Sequence, residues 1–283
     1  MRKLIAGLLF WMMVLPVVAQ DYVPTKDEIS RFFKTTTLVV LEDNPMLEYN
    51  IRIKEVMNKE WTITPFKFIT VKEFEEKMTN PDYSFLVMTE VTFEKDKSMA
   101  KYKFLNLLLG DNVFSLSQLP TICSVPLAYY GVEESSYIYK LNLLARFIQN
   151  HVQLIQEHPE YISANIFKHY NDNMGDIKHK TLYLVQDELE KSINSAARIH
   201  KIYPYKFKIV TREDIQQAIE DHDPDVVFLH KVGPEGTRLK ARCYNIIIGA
   251  ADAQFYYFDY HKINDKHPDG LLESDLKKMA RGK

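Results

Sequence analysis

Four residues of this chain have the types and spacing that acid–base or metal chemistry would need. Asp187 and Glu188 follow the apolar run Thr181 to Val185, and His230 and Lys231 follow Val226 to Leu229. A histidine near a carboxylate can relay a proton or offer a ring nitrogen to a metal. In a parallel α/β sheet such groups matter most where strands end, because ligands gather beyond the carboxyl ends. A hydrolase with Asp187 and His230 in its site is the enzyme these positions allow. The competing reading makes each of them a strand-end residue hydrogen-bonded to its surroundings. The sequence has no Gly-rich phosphate loop, no G-x-S-x-G, no H-E-x-x-H and no C-x-x-C. Those are the local arrangements that activate a serine, hold zinc or cradle a phosphate. The reading therefore leans away from an enzyme and expects neither a cofactor nor a metal.

A second stretch invites a binding role. Phe255, Tyr256, Tyr257, Phe258 and Tyr260 fall in one short segment, Phe255-Tyr256-Tyr257-Phe258-Asp259-Tyr260-His261. On a regular strand Phe255, Tyr257 and Asp259 share one face, and Tyr256, Phe258 and Tyr260 share the other. Such a series is either core or an exposed aromatic patch that docks a protein or a glycan. The turn Gly233-Pro234-Glu235-Gly236 reads as a tight hairpin, since glycine and proline supply its backbone angles.

The elements that must position these residues come as a repeat. Phe66-Lys67-Phe68-Ile69-Thr70 recurs as Phe207-Lys208-Ile209-Val210-Thr211, and an offset of 141 carries Phe85 to Met88 onto Val226 to Leu229. Thr37 to Leu41 pairs with Thr181 to Val185, and Asn106 to Gly110 pairs with Asn245 to Gly249 at an offset of 139. Within each copy, short β-branched runs alternate with amphipathic segments such as Leu47 to Trp61, which implies right-handed crossovers and a parallel core. Thr70-Val71-Lys72-Glu73 has the capping-box spacing at a helix start, and Thr211 to Asp214 repeats it. Later runs, Tyr102 to Leu109 and Val113 to Leu116 in the first copy, complete the unit. The expected fold is α/β: a tandem duplication of a β-α-β-α-β-β-β unit, each unit two or three layers deep. A long amphipathic helix between Ser136 and Glu157 joins them, stopped by Pro159. Residues 20–130 form the first unit, 131–176 the helical connector, and 177–283 the second unit with a polar tail that reads as a fraying helix.

Arg2 and Lys3 followed by an apolar run from Leu4 to Val18 and by Ala19 read as a secretory signal peptide over residues 1–19, with export to the periplasm or beyond. Without it, 34 basic side chains face 38 acidic ones. That balance makes nucleic acid and anionic membranes poor partners, and no later run is long enough to span a bilayer. Cys123 and Cys243 are the only cysteines, and they read equally as a bond or as two buried thiols.

With its signal ending Val17-Val18-Ala19-Gln20 and its duplicated mature region rich in Tyr, Lys and Asn, the chain resembles uncharacterised exported proteins of Bacteroidota. In topology alone each unit looks like the small α/β domains of the TolB amino-terminal and CsgG families of the envelope. The absence of catalytic motifs, the two similar lobes and export point instead to a non-catalytic periplasmic or secreted protein that binds an envelope protein partner through the groove between its units or a sheet edge. The alternative is a two-lobed binder of a small solute.

Overall fold

A computed structural model describes residues 22–93, 99–163, 165–235 and 240–282. The expected signal peptide lies outside these residues, as do Gly236 and the end of its hairpin. The first unit runs α1 (Lys26–Phe32), β1 (Thr36–Val40), α2 (Glu48–Glu60), β2 (Phe66–Ile69), α3 (Val71–Lys77), β3 (Tyr83–Thr92), β4 (Lys101–Leu109), β5 (Thr121–Tyr129) and α4 (Leu141–Glu157). After α5 (Ile166–Asn171) and a 3-10 segment (Asp172–His179) the second unit runs β6 (Thr181–Val185), α6 (Ala196–His200), β7 (Phe207–Val210), α7 (Arg212–Glu220), β8 (Val226–Val232), β9 (Arg242–Gly249), β10 (Phe255–Lys262) and α8 (Glu273–Arg281).

The duplication is plain in the sheets. One has the order β2-β1-β3-β4-β5, and the other, read in the same sense, β7-β6-β8-β9-β10. In both, the first three strands are parallel and the last two antiparallel. The capping boxes form as the spacing predicts: Thr70 with Glu73 starts α3, and Thr211 with Asp214 starts α7. A third, Thr25 with Glu28, starts α1. Each pair satisfies two backbone amides that a helix start leaves unpaired.

Ladder register corrects the alignment of two strand pairs. Thr37 pairs with Phe66 and Leu182 with Phe207, so Leu182, not Thr181, stands where Thr37 does. The same match carried through the ladders pairs Thr37 with Ser84 and Leu182 with Val227, which makes Met88 the counterpart of Lys231, yet Asn106 stands against Val87 and Asn245 against Lys231. Because side chains alternate across a strand, a one-residue slip exchanges the faces. Asn106 bonds Thr89 and Ser124, whereas Asn245 bonds Asp275 under α8. The two asparagines are therefore not equivalent.

The units stack in the same direction. A core cluster joins one face of the first sheet, through Val39, Leu86, Leu105 and Leu107, to α2 and α4. The same cluster takes in the opposite kind of face from the second sheet: Val226, Phe228, Ile246 and Ile248, with Ile215 and Ile219 of α7. The layers are thus α3, the first sheet, a middle layer with α2, α4 and α7, the second sheet, and then α6 with α8. A helix apolar on nearly every side must be buried, and α4 is: Leu141, Leu143, Leu144, Ala145, Phe147, Ile148 and Val152 all lie inside. It is the closing helix of the first unit as well as the connector, and α8 is its counterpart.

Two expectations fail here. Val113 to Leu116 is not a strand; residues 110–120 form a loop with a 3-10 turn at Leu116–Gln118, and the last strand is β5. Val113 and Leu116 are apolar because they pack over the outer core beneath α3, so this loop covers the face that α4 covers in the second unit. It leaves β4 at Gly110, where any Cβ would sit 2.0 Å from the Asn80 carbonyl oxygen. The tail does not fray either: α8 buries Leu276 and Met279 against the second sheet.

Candidate functional site

The four strand-end candidates separate. Asp187 is exposed. Glu188 and Lys231 are buried beside the loop that leads into α8, and His230 is buried on the other face of β8, towards the first unit; there they meet residues that sequence reasoning missed. Lys140, at the start of α4 and without solvent exposure, brings Nζ to 3.6 Å from Glu188 Oε1. Lys231 Nζ donates to Asp269 Oδ2. Gly270 lets the loop pass: its φ of +114° belongs to glycine, and an added Cβ would press on the backbone of Glu188 to Glu190. The Leu271 amide then donates to the Glu188 carbonyl, and the Glu190 amide to that of Leu271.

His230 Nε2 donates to the Pro126 carbonyl at 2.9 Å, tying the second sheet to β5 of the first. Burial, helped by the nearby Lys140 charge, pushes this imidazole down to about 3, so it is neutral. Burial disfavours the charge on Lys140, yet the Glu188 carboxylate holds its pKa above the ordinary range. Cys243, a free thiol beside Lys231 and Asp269, is raised by burial and by the Asp269 charge. A thiol held in that form is a poor nucleophile. Buried ion pairs, a neutral histidine and a suppressed thiol make a structural knot. Its chemistry is to fix the α8 segment and the α4 start onto the strand ends.

The aromatic series behaves differently. A β-bulge between Phe255 and Tyr257 breaks the regular alternation. Phe255 and Phe258 consequently face the middle layer together, where Phe255 stacks on Phe147 at 3.7 Å and Phe258 on Phe167 at 3.8 Å. Tyr256 and Tyr257 turn into the core beneath α8. Phe255, Tyr256 and Tyr257 are thus core residues, Phe258 is half-buried, and Tyr260 is 45% exposed.

Along the outer edge of β10 lies an open groove of about 710 Å³. Phe258 and Tyr260 of β10, Phe167 and Lys168 of α5, Asp172 beyond it and Lys278 of α8 line it. A smaller cleft of about 210 Å³ adjoins it around Asp259, His261, His267 and Asp275. Asp259, Asp275 and Lys278 were not singled out in the sequence, where only the i,i+3 spacing of Asp275 and Lys278 hints at a pair. In the fold the Tyr257 hydroxyl donates to Asp275 Oδ1 at 2.8 Å, and Lys278 Nζ donates to Asp259 Oδ2 at 2.5 Å. Burial holds the Asp275 carboxyl above the usual range. A concave site with convergent polar groups and a perturbed carboxyl is where a ligand is sought first.

At the groove, side chains hold the outward backbone of β10. The amide and carbonyl of Phe258 both point outward, and the Asn171 side chain takes both: its Oδ1 accepts from Phe258 N–H at 2.7 Å, and its Nδ2 donates to the Phe258 carbonyl at 3.0 Å. Asn171 therefore occupies the place of a neighbouring strand. Outward pairs alternate along an antiparallel edge, so Tyr260 is the next to face out, and its N–H is met by the Asp259 carboxylate at 2.8 Å. Among the described residues no helix is long and apolar enough to cross a membrane. No protein-family model matches this chain, and no curated protein or solved structure is significantly similar to it.

Proposed function

We propose that this chain is an exported, non-catalytic envelope protein that binds a protein partner along the β10 groove. The observation that carries this reading is the edge of β10: a strand whose outward backbone pair is already held by an amide side chain, beside a groove floored by stacked aromatic rings. An extended segment that adds to such an edge gains main-chain hydrogen bonds, while side-chain pockets select it. Asn171 would set where the segment begins, Tyr260 would give it a ring to lie on, and Lys168, Lys278, Asp172 and Asp259 would read its charges. The reading is preferred to a two-lobed solute binder because the space between the sheets is filled by α4 and the Phe147–Phe255 stack. It is preferred to a hydrolase because His230 lies fully buried while Asp187 is exposed.

A photo-crosslinking amino acid placed at position 260 tests this in the native cell, with position 114 as control, since Phe114 is 99% exposed and lies on the first unit. One discrete heterologous adduct from 260 and its absence from 114 is the expected result. No adduct from 260, or the same adducts from both positions, would remove the groove from consideration.

A further inference from the structure

The groove along β10 straddles the strand. On the side of the middle layer it is walled by Phe167, Phe258 and Tyr260, and on the α8 side by Tyr257, Asp259 and Lys278. The ladder with β9 accounts for this split. Past the bulge the pairing is regular, so Phe258 and Tyr260 turn to one face of the sheet and Asp259 and His261 to the other. An added strand continues the same alternation. A residue that pairs with Tyr260 lays its side chain among the rings, and the residues on either side of it lie over Asp259 and His261.

With β10 as the docking edge, the premise on which this rests, we propose that the partner segment carries a large apolar or aromatic residue opposite Tyr260 and, directly beside it in sequence, a lysine or arginine that meets Asp259. The rings give the first half. Phe167 stacks on Phe258 at 3.8 Å, and Tyr260 lies 5.5 Å from Tyr244, the residue it pairs with on β9. Tyr260 is the most exposed member of that row. A ring or branched side chain across from it covers it, as aromatic cross-strand pairs do.

The basic neighbour follows from what the edge must give up. Asp259 Oδ1 accepts from the Tyr260 amide at 2.8 Å, and Oδ2 accepts from the Lys278 ammonium at 2.5 Å. A segment carbonyl that pairs with Tyr260 takes that amide and leaves Asp259 Oδ1 without a donor. A cation across the strand replaces it, whereas an acid there would face a like charge. There is room for a long side chain, because the cleft of about 210 Å³ opens beside Asp259. Its lining sets Asp259 and Asp275 against one ammonium, Lys278, beside the imidazoles of His261 and His267. Asn171 holds both backbone groups of Phe258, so a segment pairs from Tyr260 onward and its fit is decided at these few positions.

The test selects displayed heptapeptides on the intact protein and measures the selected peptides by fluorescence anisotropy. A photo-crosslinker at position 168, on the exposed wall of the groove, reports whether they sit at β10. Selected peptides should crosslink there and share an apolar or aromatic residue adjacent to a lysine or arginine. Y260A should weaken them about threefold or more. D259N should weaken a lysine-bearing peptide about twofold to fivefold and leave its norleucine counterpart unchanged. Moving the basic residue one place further along puts both side chains on one face, and with the protein unaltered it should weaken binding by a similar factor. Peptides that crosslink at 168 without an adjacent basic residue, equal binding of the two arrangements, or a D259N variant that binds as the parent does would overturn this chemistry and leave the docking edge standing. Peptides that bind without crosslinking at 168 would remove the docking edge, and this inference with it.

Discussion

His230 shows how a residue chosen for chemistry serves the fold. It is neutral, wholly buried and hydrogen-bonded across the unit boundary. His230→Ala should cost about 2–4 kcal/mol of stability, from a lost buried hydrogen bond and the cavity left behind. Equilibrium denaturation would measure this, and an effect below about 0.5 kcal/mol would deny the residue a structural role. The pH dependence follows by linkage. Burial lowers His230 from 6.5 to about 3 and His151 from 6.5 to about 4. The unfolded chain therefore binds protons that the folded one refuses, and stability rises with pH across that interval. The contribution is complete above about pH 6.5 and is lost as pH falls towards 4 and then 3. Melting temperature should drop between pH 7 and pH 4, more gently in His151→Ala than in the parent. An unchanged slope would mean that His151 is not held neutral.

Elements were legible in the sequence where their signals are local. A capping box needs four residues and nothing else, so Thr70 and Thr211 mark helix starts correctly. Glu188 lies just beyond β6 as its position in the sequence suggests, whereas β8 runs on to Val232 and takes His230 and Lys231 into the ladder, and Lys140 and Asp269 are brought in only by tertiary packing. Residues 110–120 mislead because Val113 and Leu116 are apolar for a reason invisible locally: they lie over the outer core. The bulge at Phe255 hides in the same way, since a single extra residue reverses which rings face the core. The edge of β10 yields a prediction at this scale. Asn171→Ala removes both partners of the Phe258 backbone, so it should cost about 1–3 kcal/mol. It should also promote self-association, since an unpaired edge invites another strand. Denaturation and sedimentation velocity would check the two parts. A variant that is as stable and as monomeric as the parent would show that Asn171 does not guard the edge.

Duplication suggests two independent domains, but the stacking argues for one cooperative molecule. The second unit presents Ile215, Ile219, Val226, Phe228, Ile246 and Ile248 to the first, each at most 2% exposed. At about 1.5–3 kcal/mol for each side chain buried, their exposure would cost on the order of 10 kcal/mol. That equals the whole stability of a typical domain, roughly 5–15 kcal/mol. Polar ties cross the same boundary: Arg146 donates to the Ala250 and Ala251 carbonyls at 2.8 Å, and Arg52 pairs with Glu220 at 3.6 Å. Lys140 would also leave Glu188 without a counter-ion, and breaking a buried pair is more costly than never having built it. A fragment of residues 177–283 should therefore fail to fold alone, and the intact chain should unfold in a single transition whose calorimetric and van't Hoff enthalpies agree. Two resolved transitions, or a fragment with dispersed amide resonances, would show instead that the shared middle layer is an interface between autonomous domains. If the molecule melts as one, a peptide bound at the β10 groove should raise that single melting temperature, because the ligand stabilises the only folded state there is.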